Sequence, residues 1–224
     1  MKIVFISDTH GKHEVLTTKA YNNILGEGDI LVHAGDCTNV GKTHEVKEFL
    51  DWFSNTPFTH KVFIAGNHDW GFVKTQDIDQ EYKDKGVHYL FDSMVELDGV
   101  KIYGSPWQPE FFNWAFNVPR GGQLAEKWSK IPEGLDILVT HGPAHGMVDH
   151  TIDGLNVGCE DLFNRILEVK PKIHVCGHIH WAYGQKSFHG TEYLNASVLN
   201  ERYQYQNKPI VMEYNPETKE IDYL

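Results

Sequence analysis

Five short apolar runs recur along the chain, and a polar residue able to bind a metal follows each of them closely. The runs are β-branched and four or five residues long: Lys2–Ile6, 30–33, 61–65, 136–140 and 172–176. Nearly continuous apolarity over this length is typical of strands buried on both faces of a sheet. Helix-like stretches lie between the runs, and this alternation predicts an α/β fold.

The helix-like stretches are residues 14–25, 43–53 and 158–169. In the second, apolar residues recur on one helical face, and Thr43 is the expected N-cap. Pro171 is expected to end the third stretch, because proline cannot continue a helix.

Two regions predict antiparallel strands instead. Residues 94–103 resemble a hairpin that turns at Asp98 and Gly99, a dipeptide favoured in tight turns. Extended segments at Thr191–Asn195 and Ile210–Tyr214 are expected to add further antiparallel strands, some of them in a second sheet. We find no internal repeat, linker or charge block, so residues 1–224 are interpreted as a single domain.

Composition narrows the class of protein. The 224 residues contain 20 Lys and Arg against 31 Asp and Glu, a net charge of −11. A surface this acidic argues against binding to long nucleic acids or anionic membranes, which require a basic face. No apolar run approaches the roughly 20 residues of a membrane span. The three cysteines are odd in number and form no CxxC pair, and the N-terminal apolar run is too short for a signal peptide. We therefore expect a cytoplasmic protein.

The polar residues that follow the runs carry most of the functional information. In α/β sheets the carboxyl ends of the strands converge on one crevice, so side chains far apart in sequence can meet there. In chain order these residues are Asp8 and His10, then Asp36, then Asn67, His68 and Asp69, then His141, and finally His178 and His180.

Carboxylates, an amide and imidazoles suit Mn, Fe, Ni, Co or Zn, and the absence of cysteine pairs argues against a structural zinc knot. Leaving aside His68 and Asp69, seven ligands are too many for one ion. Two ions that share one carboxylate would use them all. A lone histidine at a strand end is more often structural, so the evidence is the ordered set and no single motif.

The aromatic stretch 107–116 allows two interpretations. Its rings either fill the core beneath a long loop or stack on a nucleobase near the site. Trp107 is the best candidate for a ring at the site, because it closely follows the hairpin strand. Arg120 is expected either to meet a phosphate or to form a surface salt bridge.

The ordered motifs resemble those of the calcineurin-like metallophosphoesterase superfamily: DxH at 8–10, GD at 35–36, GNHD at 66–69, a single His141, and GHxH at 177–180. Other segments are similar to the metallophosphoesterase-domain-containing (MPPED-type) branch, which itself resembles class III cyclic-nucleotide phosphodiesterases. These segments are IYGSPW at 102–107, FNVPRG at 116–121, KWSKIPEGLDILVTHG at 127–142 and YLNAS at 193–197.

The resemblance implies a four-layer αββα sandwich with two mixed β-sheets. It also implies two divalent metal ions, with manganese favoured, that share Asp36 as a bridging ligand. One ion would take Asp8, His10, Asp36 and His180, and the other would take Asp36, Asn67, His141 and His178.

A mechanism follows as a hypothesis. A hydroxide that bridges the two ions would attack phosphorus in line, while the ions and the Asn67 amide neutralise the phosphate oxygens. His68 would give a proton to the leaving oxygen as general acid, with Asp69 holding its tautomer. Asn67 and His68 would therefore contact the substrate.

The leading hypothesis is a metal-dependent phosphodiesterase for small phosphodiesters such as cyclic nucleotides. One alternative is a phosphomonoesterase, including a phosphoprotein phosphatase. The phosphatase branches usually carry an arginine after the second motif, whereas GDCTNVGK at 35–42 has none. A second alternative is a scaffold that binds metal or nucleotide with little turnover. The expected partner is a small phosphodiester, with no long nucleic acid and no membrane.

Overall fold

The computed structural model describes residues 1–75 and 77–224, and its strands fall where the apolar runs predict them. In chain order the strands are β1 (Lys2–Ile6), β2 (Gly28–His33), β3 (Phe58–Phe63), β4 (Val87–Tyr89), β5 (Ser93–Leu97), β6 (Val100–Ser105), β7 (Gln108–Pro109), β8 (Asn117–Val118), β9 (Ile137–Thr140), β10 (Ile173–Cys176), β11 (Gly184–Phe188), β12 (Thr191–Asn195), β13 (Ile210–Tyr214) and β14 (Ile221–Tyr223). The α-helices are α1 (Thr43–Ser54), α2 (Gln80–Lys83), α3 (Gly122–Trp128) and α4 (Glu160–Val169).

Two six-stranded mixed sheets form the frame. The first has the order β14-β13-β1-β2-β3-β4, with β1 to β4 parallel and β13 antiparallel to β1. The second has the order β11-β12-β10-β9-β6-β5, with parallel central strands and antiparallel edges. In both sheets the parallel strands end at one edge, and the polar residues that follow them lie there.

The sheets pack face to face, and alternate residues of each strand enter different cores. Along β1, Ile3 and Phe5 pack between the sheets, whereas Val4 packs outward beneath α1. On the outer face of the second sheet, Leu124 of α3 and Ile166 of α4 pack in a third core. The arrangement is the predicted αββα sandwich, and burial on both faces explains why the runs are continuously apolar.

The predicted helix at residues 14–25 is wrong. Two short 3₁₀ turns, His13–Thr17 and Lys19–Tyr21, occupy this region, and Thr18 between them is extended. The hydroxyls of Thr17 and Thr18 donate to the carbonyls of Glu14 and Val15. Side chains that bond to the nearby backbone favour turns over a continuous helix.

The other two helices are confirmed: α1 begins where predicted and ends at Ser54, and α4 begins at Glu160 and ends where predicted. Thr43 begins α1, but Lys42 holds the N-cap position, so the predicted cap is wrong. The Glu45 carboxylate accepts a hydrogen bond from the backbone N–H of Lys42 at 2.8 Å and so satisfies a free donor at this end. At α4 the Cys159 sulfur accepts from the N–H of Leu162.

The hairpin at 94–103 is confirmed as β5 and β6. For the C-terminal segments the prediction holds in part. β13 is antiparallel to β1 in the first sheet, whereas β12 lies in the second sheet, antiparallel to β11 but parallel to β10. Among the described residues, no helix combines the length and the apolarity that crossing a bilayer requires.

Candidate metal centre

The nine polar residues that follow the strands gather at the carboxyl edge of the two sheets. β1, β2 and β3 deliver the aspartates and the asparagine, and β9 and β10 deliver the last three histidines. The His141 ring joins the two sheets, because its Nδ1 lies 2.9 Å from the carbonyl oxygen of Ala34, just beyond β2. The amide of Asp8 donates to the Gly35 carbonyl at 3.0 Å and so ties the end of β1 to that of β2.

Within the part of the chain that the structure describes, three overlapping groups of side chains have ligand atoms close enough to hold a metal ion. Within each group the ligand atoms all lie within 4.8 Å of one another. The groups are Asp8–His10–His180, His10–Asp36–His68 and Asp36–His141–His178. Asn67 joins the third, since its Oδ1 lies 3.0 Å from His141 Nε2 and 2.9 Å from His178 Nδ1. The seven predicted ligands are therefore together, and Asp36 belongs to two groups.

The hydrogen bonds of two histidines aim their other ring nitrogens at carboxylates. His180 donates from Nδ1 to the carbonyl of Asn200, and His141 donates to that of Ala34. Their Nε2 atoms then face Asp8 Oδ1 and Asp36 Oδ2, each at 3.3 Å. Two electron-rich atoms at this distance require a proton or a cation between them, so the donor set fits metal binding.

The raised pKa values of two histidines also indicate that the site favours positive charge. Burial alone would lower the pKa of His141, but the charge and hydrogen bond of Asp36 outweigh it and raise the pKa to about 9. Asp8 raises the pKa of His180 to about 9 in the same way. His10 and His178 differ, because burial dominates and lowers the pKa of each to about 4. Neutral imidazoles of this kind are available as ligands.

The backbone at the site is strained. Asp8, His10, Asp36 and His178 have φ between 44° and 66°, in the left-handed region that costs a non-glycine residue roughly 1 kcal/mol or more. Beside them Gly177 is required, because a Cβ at this position would collide with the Asp8 carboxylate. Such strain is typical of residues held in place for a function.

His68 lies at the edge of the ligand groups. Its Nδ1 donates to the carbonyl of Asn39 at 2.7 Å, which fixes the tautomer and leaves Nε2 free to exchange a proton. The ring stacks on Trp114, with centroids 4.2 Å apart and planes 23° apart, and meets His10 edge-on at 4.6 Å.

The role predicted for Asp69 is wrong. Its carboxylate is fully buried and accepts hydrogen bonds from the backbone N–H groups of Gly66, Cys37 and Thr38, and from the Thr38 hydroxyl. These contacts fasten the loop after β2 to the loop after β3. Asp69 thus shapes the two loops that carry Asp36 and Asn67, while a carbonyl, and not this carboxylate, orients His68.

Trp107 is not the ring at the site. Its indole N–H donates to Asp92 at 3.0 Å, and its ring packs against Phe91 and Phe116. Within the stretch 107–116, two rings reach the ligand groups. Trp114 stacks on His68, and the centroid of Phe111 lies 5.9 Å from that of His178. Composition could not show which of these rings lie at the site, because their placement depends on the path of the loop.

Three further residues at the site were missed. The Ser197 hydroxyl donates to Asp8 at 2.7 Å, Asn200 provides the carbonyl that fixes His180, and the Tyr203 ring lies 4.8 Å from that of His10. Ser197 lies in the YLNAS segment, so this motif was the available signal. For Asn200 and Tyr203 the sequence carries no comparable pattern.

Comparison with known proteins agrees with this geometry. The family model for calcineurin-like phosphoesterases matches residues 1–208. Metallophosphoesterase domain-containing protein 1 of Homo sapiens is 40% identical over 236 residues, which cover 95% of this chain and 70% of the human protein.

Solved structures show the same fold at low sequence identity. TT1561 of Thermus thermophilus superposes with a TM-score of 0.63 at 13% identity, covering 99% of this chain and 97% of that one. Phosphopantetheinyl hydrolase from Mycobacterium tuberculosis gives a TM-score of 0.55 at 17% identity, covering 90% of each chain. These structures support the fold, whereas the family match, the human relative and the His and Asp groups at the sheet edge identify the chain as a metal-dependent phosphoester hydrolase. It belongs to the calcineurin-like phosphoesterase family, in the branch of the metallophosphoesterase domain-containing proteins.

Proposed function

We propose that this protein hydrolyses small phosphodiesters, with cyclic nucleotides as the leading candidates, at a centre that holds two divalent ions. The observation that carries the proposal is the sharing of Asp36 between two ligand groups, one with His10 and His68 and the other with His141 and His178. Two ions that share a carboxylate suit in-line displacement at phosphorus.

The division of the ligands between the two ions follows the family resemblance, and the contacts around His10 support it. His10 Nε2 lies 3.4 Å from His180 Nε2 and 3.7 Å from Asp36 Oδ2, so these side chains converge on one point. Manganese is the favoured metal, because carboxylates and imidazoles together suit ions of this class. The first ion takes Asp8, His10, Asp36 and His180, and the second takes Asp36, Asn67, His141 and His178.

The chain's own residues then have separate tasks. When bound, two divalent ions supply an activated water and neutralise charge on the phosphate. The Asn67 amide helps to hold the phosphate oxygens. His68 carries a proton on Nε2 toward the leaving oxygen, while its bond to Asn39 and its stack on Trp114 keep the ring in place.

The contacts of Arg120 favour a phosphodiester over a phosphomonoester as the substrate. Its guanidinium donates to Glu160 at 3.1 Å and to the carbonyls of Val157 and Gly158, so three of its five N–H groups are already paired within the protein. A phosphodiester carries one negative charge and a monoester nearly two at neutral pH. The diester thus depends less on an additional cation.

The test is a substrate panel on metal-free protein reloaded with Mn²⁺, Ni²⁺, Zn²⁺ or Mg²⁺. We expect a higher kcat/KM for bis-p-nitrophenyl phosphate than for p-nitrophenyl phosphate, and turnover of 2′,3′- or 3′,5′-cyclic AMP. A strong preference for the monoester would overturn the proposal in favour of a phosphomonoesterase. Metal-loaded protein that turns over no ester would favour a scaffold instead.

A further inference from the structure

A cavity of about 320 Å³ opens beside the metal centre, next to His178. One wall is the loop that carries Phe111, and the opposite wall contains Pro143, Val157 and Gly158. His178 connects the cavity to the third ligand group, with Asp36 and His141. A group attached to a phosphate at the metal centre can therefore reach this space.

The Phe111 wall is held by the backbone and by one amide. Asn117 donates from Nδ2 to the carbonyls of Phe111 and Phe112, and the N–H of Glu110 donates to the Val118 carbonyl. The Phe111 ring stands at 87° to that of His178 and is 51% exposed. This exposed ring thus lies at the border between the cavity and the metal centre.

The opposite wall is fixed by Arg120, whose guanidinium donates to the carbonyls of Val157 and Gly158. These bonds and the salt bridge to Glu160 use three of its five N–H groups and hold Arg120 in the cavity wall. With Phe111, Pro143 and Val157 around it, the cavity offers mainly apolar surface. Cavities of about this size take flat organic groups.

His68 and His178 fall in different ligand groups, which share Asp36, and only His178 lines the cavity. His68 belongs to the group of His10 and Asp36, whereas the cavity adjoins His178. The general acid must face the leaving oxygen, and in-line attack places the retained ester group to one side of that axis. The two organic groups of a diester therefore have different surroundings.

We propose that the cavity beside His178 binds a flat aromatic ring on the ester group that stays on phosphorus. The inference rests on the proposed phosphodiesterase activity and names its substrate class: diesters whose retained group carries an aryl ring or a nucleobase. In the reaction an oxygen–phosphorus bond forms from water, and the bond to the leaving oxygen breaks. His68 protonates that oxygen, and the proton released from water leaves to solvent. The product is a monoester that keeps the ring.

The test uses three diesters with one leaving group, p-nitrophenolate, and different retained groups: methyl, phenyl and thymidine 5′-yl. Val157→Phe fills the cavity, and Leu155→Phe is the matched control on the same loop, at a residue that is 63% exposed and lies outside the cavity. We expect Val157→Phe to lower kcat/KM for the ring-bearing esters about tenfold relative to the methyl ester. Leu155→Phe should leave the ratio unchanged.

A second variant covers the case in which Val157→Phe does not fold. Phe111→Ala should raise KM for the ring-bearing esters and leave that of the methyl ester unchanged. Ile152→Ala is the control, because Ile152 is 67% exposed and does not line the cavity. A larger effect on the thymidine ester than on the phenyl ester assigns a nucleobase, and the reverse assigns a simple aryl group.

A binding measurement separates failure of the inference from failure of the proposed function. Phenyl phosphate and methyl phosphate are titrated into metal-loaded protein by calorimetry. Tighter binding of phenyl phosphate that Val157→Phe removes supports the cavity even if no diester is turned over, in which case only the proposed activity fails. Equal changes in Val157→Phe and Leu155→Phe, in both rate and binding, would overturn the inference.

Discussion

At the scale of single residues, His68 is held by contacts that leave one ring nitrogen for chemistry. Nδ1 donates to the Asn39 carbonyl, and the ring stacks on Trp114. His68 is not one of the seven predicted metal ligands. This arrangement separates proton transfer from metal binding, and substitution can therefore test the two independently.

His68→Ala should keep both metals and lose rate, most for leaving groups of high pKa. General acids typically contribute about 100-fold to 10,000-fold, so we expect a loss in this range for alkoxide leaving groups and a small one for p-nitrophenolate. The measurement is kcat across a series of leaving groups, with metal content determined in parallel. His44→Ala, at an exposed position of α1, is the control. Loss of a metal with activity intact would show that His68 is a ligand and not an acid.

Trp114→Leu should act on the rate through His68. Without the stacked indole the imidazole samples more orientations, so kcat should fall about tenfold for alkoxide leaving groups, while KM stays the same. The p-nitrophenyl esters are the internal control, since their leaving group needs no proton. An equal fall for both kinds of ester would mean that Trp114 only supports the fold.

Asp69→Asn should destabilise the protein. The donors that meet this carboxylate include the backbone N–H groups of Gly66 and Thr38, and an amide NH₂ would face one of them. An unsatisfied buried donor costs about 1–3 kcal/mol. Urea unfolding of metal-free protein measures the loss, with Asp153→Asn at an exposed position as the control. If Asp69→Asn leaves stability unchanged but loses rate with the same leaving-group dependence as His68→Ala, the role of Asp69 in holding the tautomer of His68 would be restored.

At the scale of elements, β10 carries a buried histidine that is not a predicted ligand. His174 Nε2 lies 2.8 Å from the Thr140 hydroxyl of β9, and burial lowers its pKa to about 3. In the unfolded chain the ring titrates near 6.5, so below this pH the unfolded state holds the additional proton. The stability that depends on the neutral ring is complete above pH 6.5 and falls as the pH drops toward 3.

His174→Gln should reduce this pH dependence, because glutamine does not titrate. Between pH 7 and pH 5 we expect the wild-type protein to lose about 2 kcal/mol of unfolding free energy more than the variant. Urea unfolding of metal-free protein at both pH values measures the difference, with His44→Gln as the control. Parallel losses in wild type and His174→Gln would mean that His174 is already charged in the folded state.

The elements also explain which parts of the site were predictable. A strand buried on both faces is visible in the sequence as an unambiguous apolar run. The position of a ligand two or three residues beyond the strand, such as Asp8 or His178, follows from where the strand ends. The helix expected at 14–25 failed because Thr17 and Thr18 bond to the local backbone. Loop positions such as Trp114 depend on contacts between segments, and a single sequence does not encode these in a local pattern.

At the scale of the whole molecule, the proposed ions would concentrate positive charge at one edge of an acidic protein. The net charge is −11, and Asp8 and Asp36 add buried carboxylates at the sheet edge. In the proposed site, divalent ions compensate these carboxylates and attract a phosphate locally, while the acidic surface disfavours long polyanions. This distribution is consistent with a small substrate.

The most direct test of the central claim is diesterase rate as a function of metal bound per chain. Metal-free protein is titrated with Mn²⁺, and bound metal and bis-p-nitrophenyl phosphate hydrolysis are measured on the same samples. We expect two ions to bind per chain, full activity to require both, and Asp36→Asn to lose activity and to bind both ions more weakly. Full activity with one ion or none, or two bound ions without hydrolysis, would contradict the two-ion proposal.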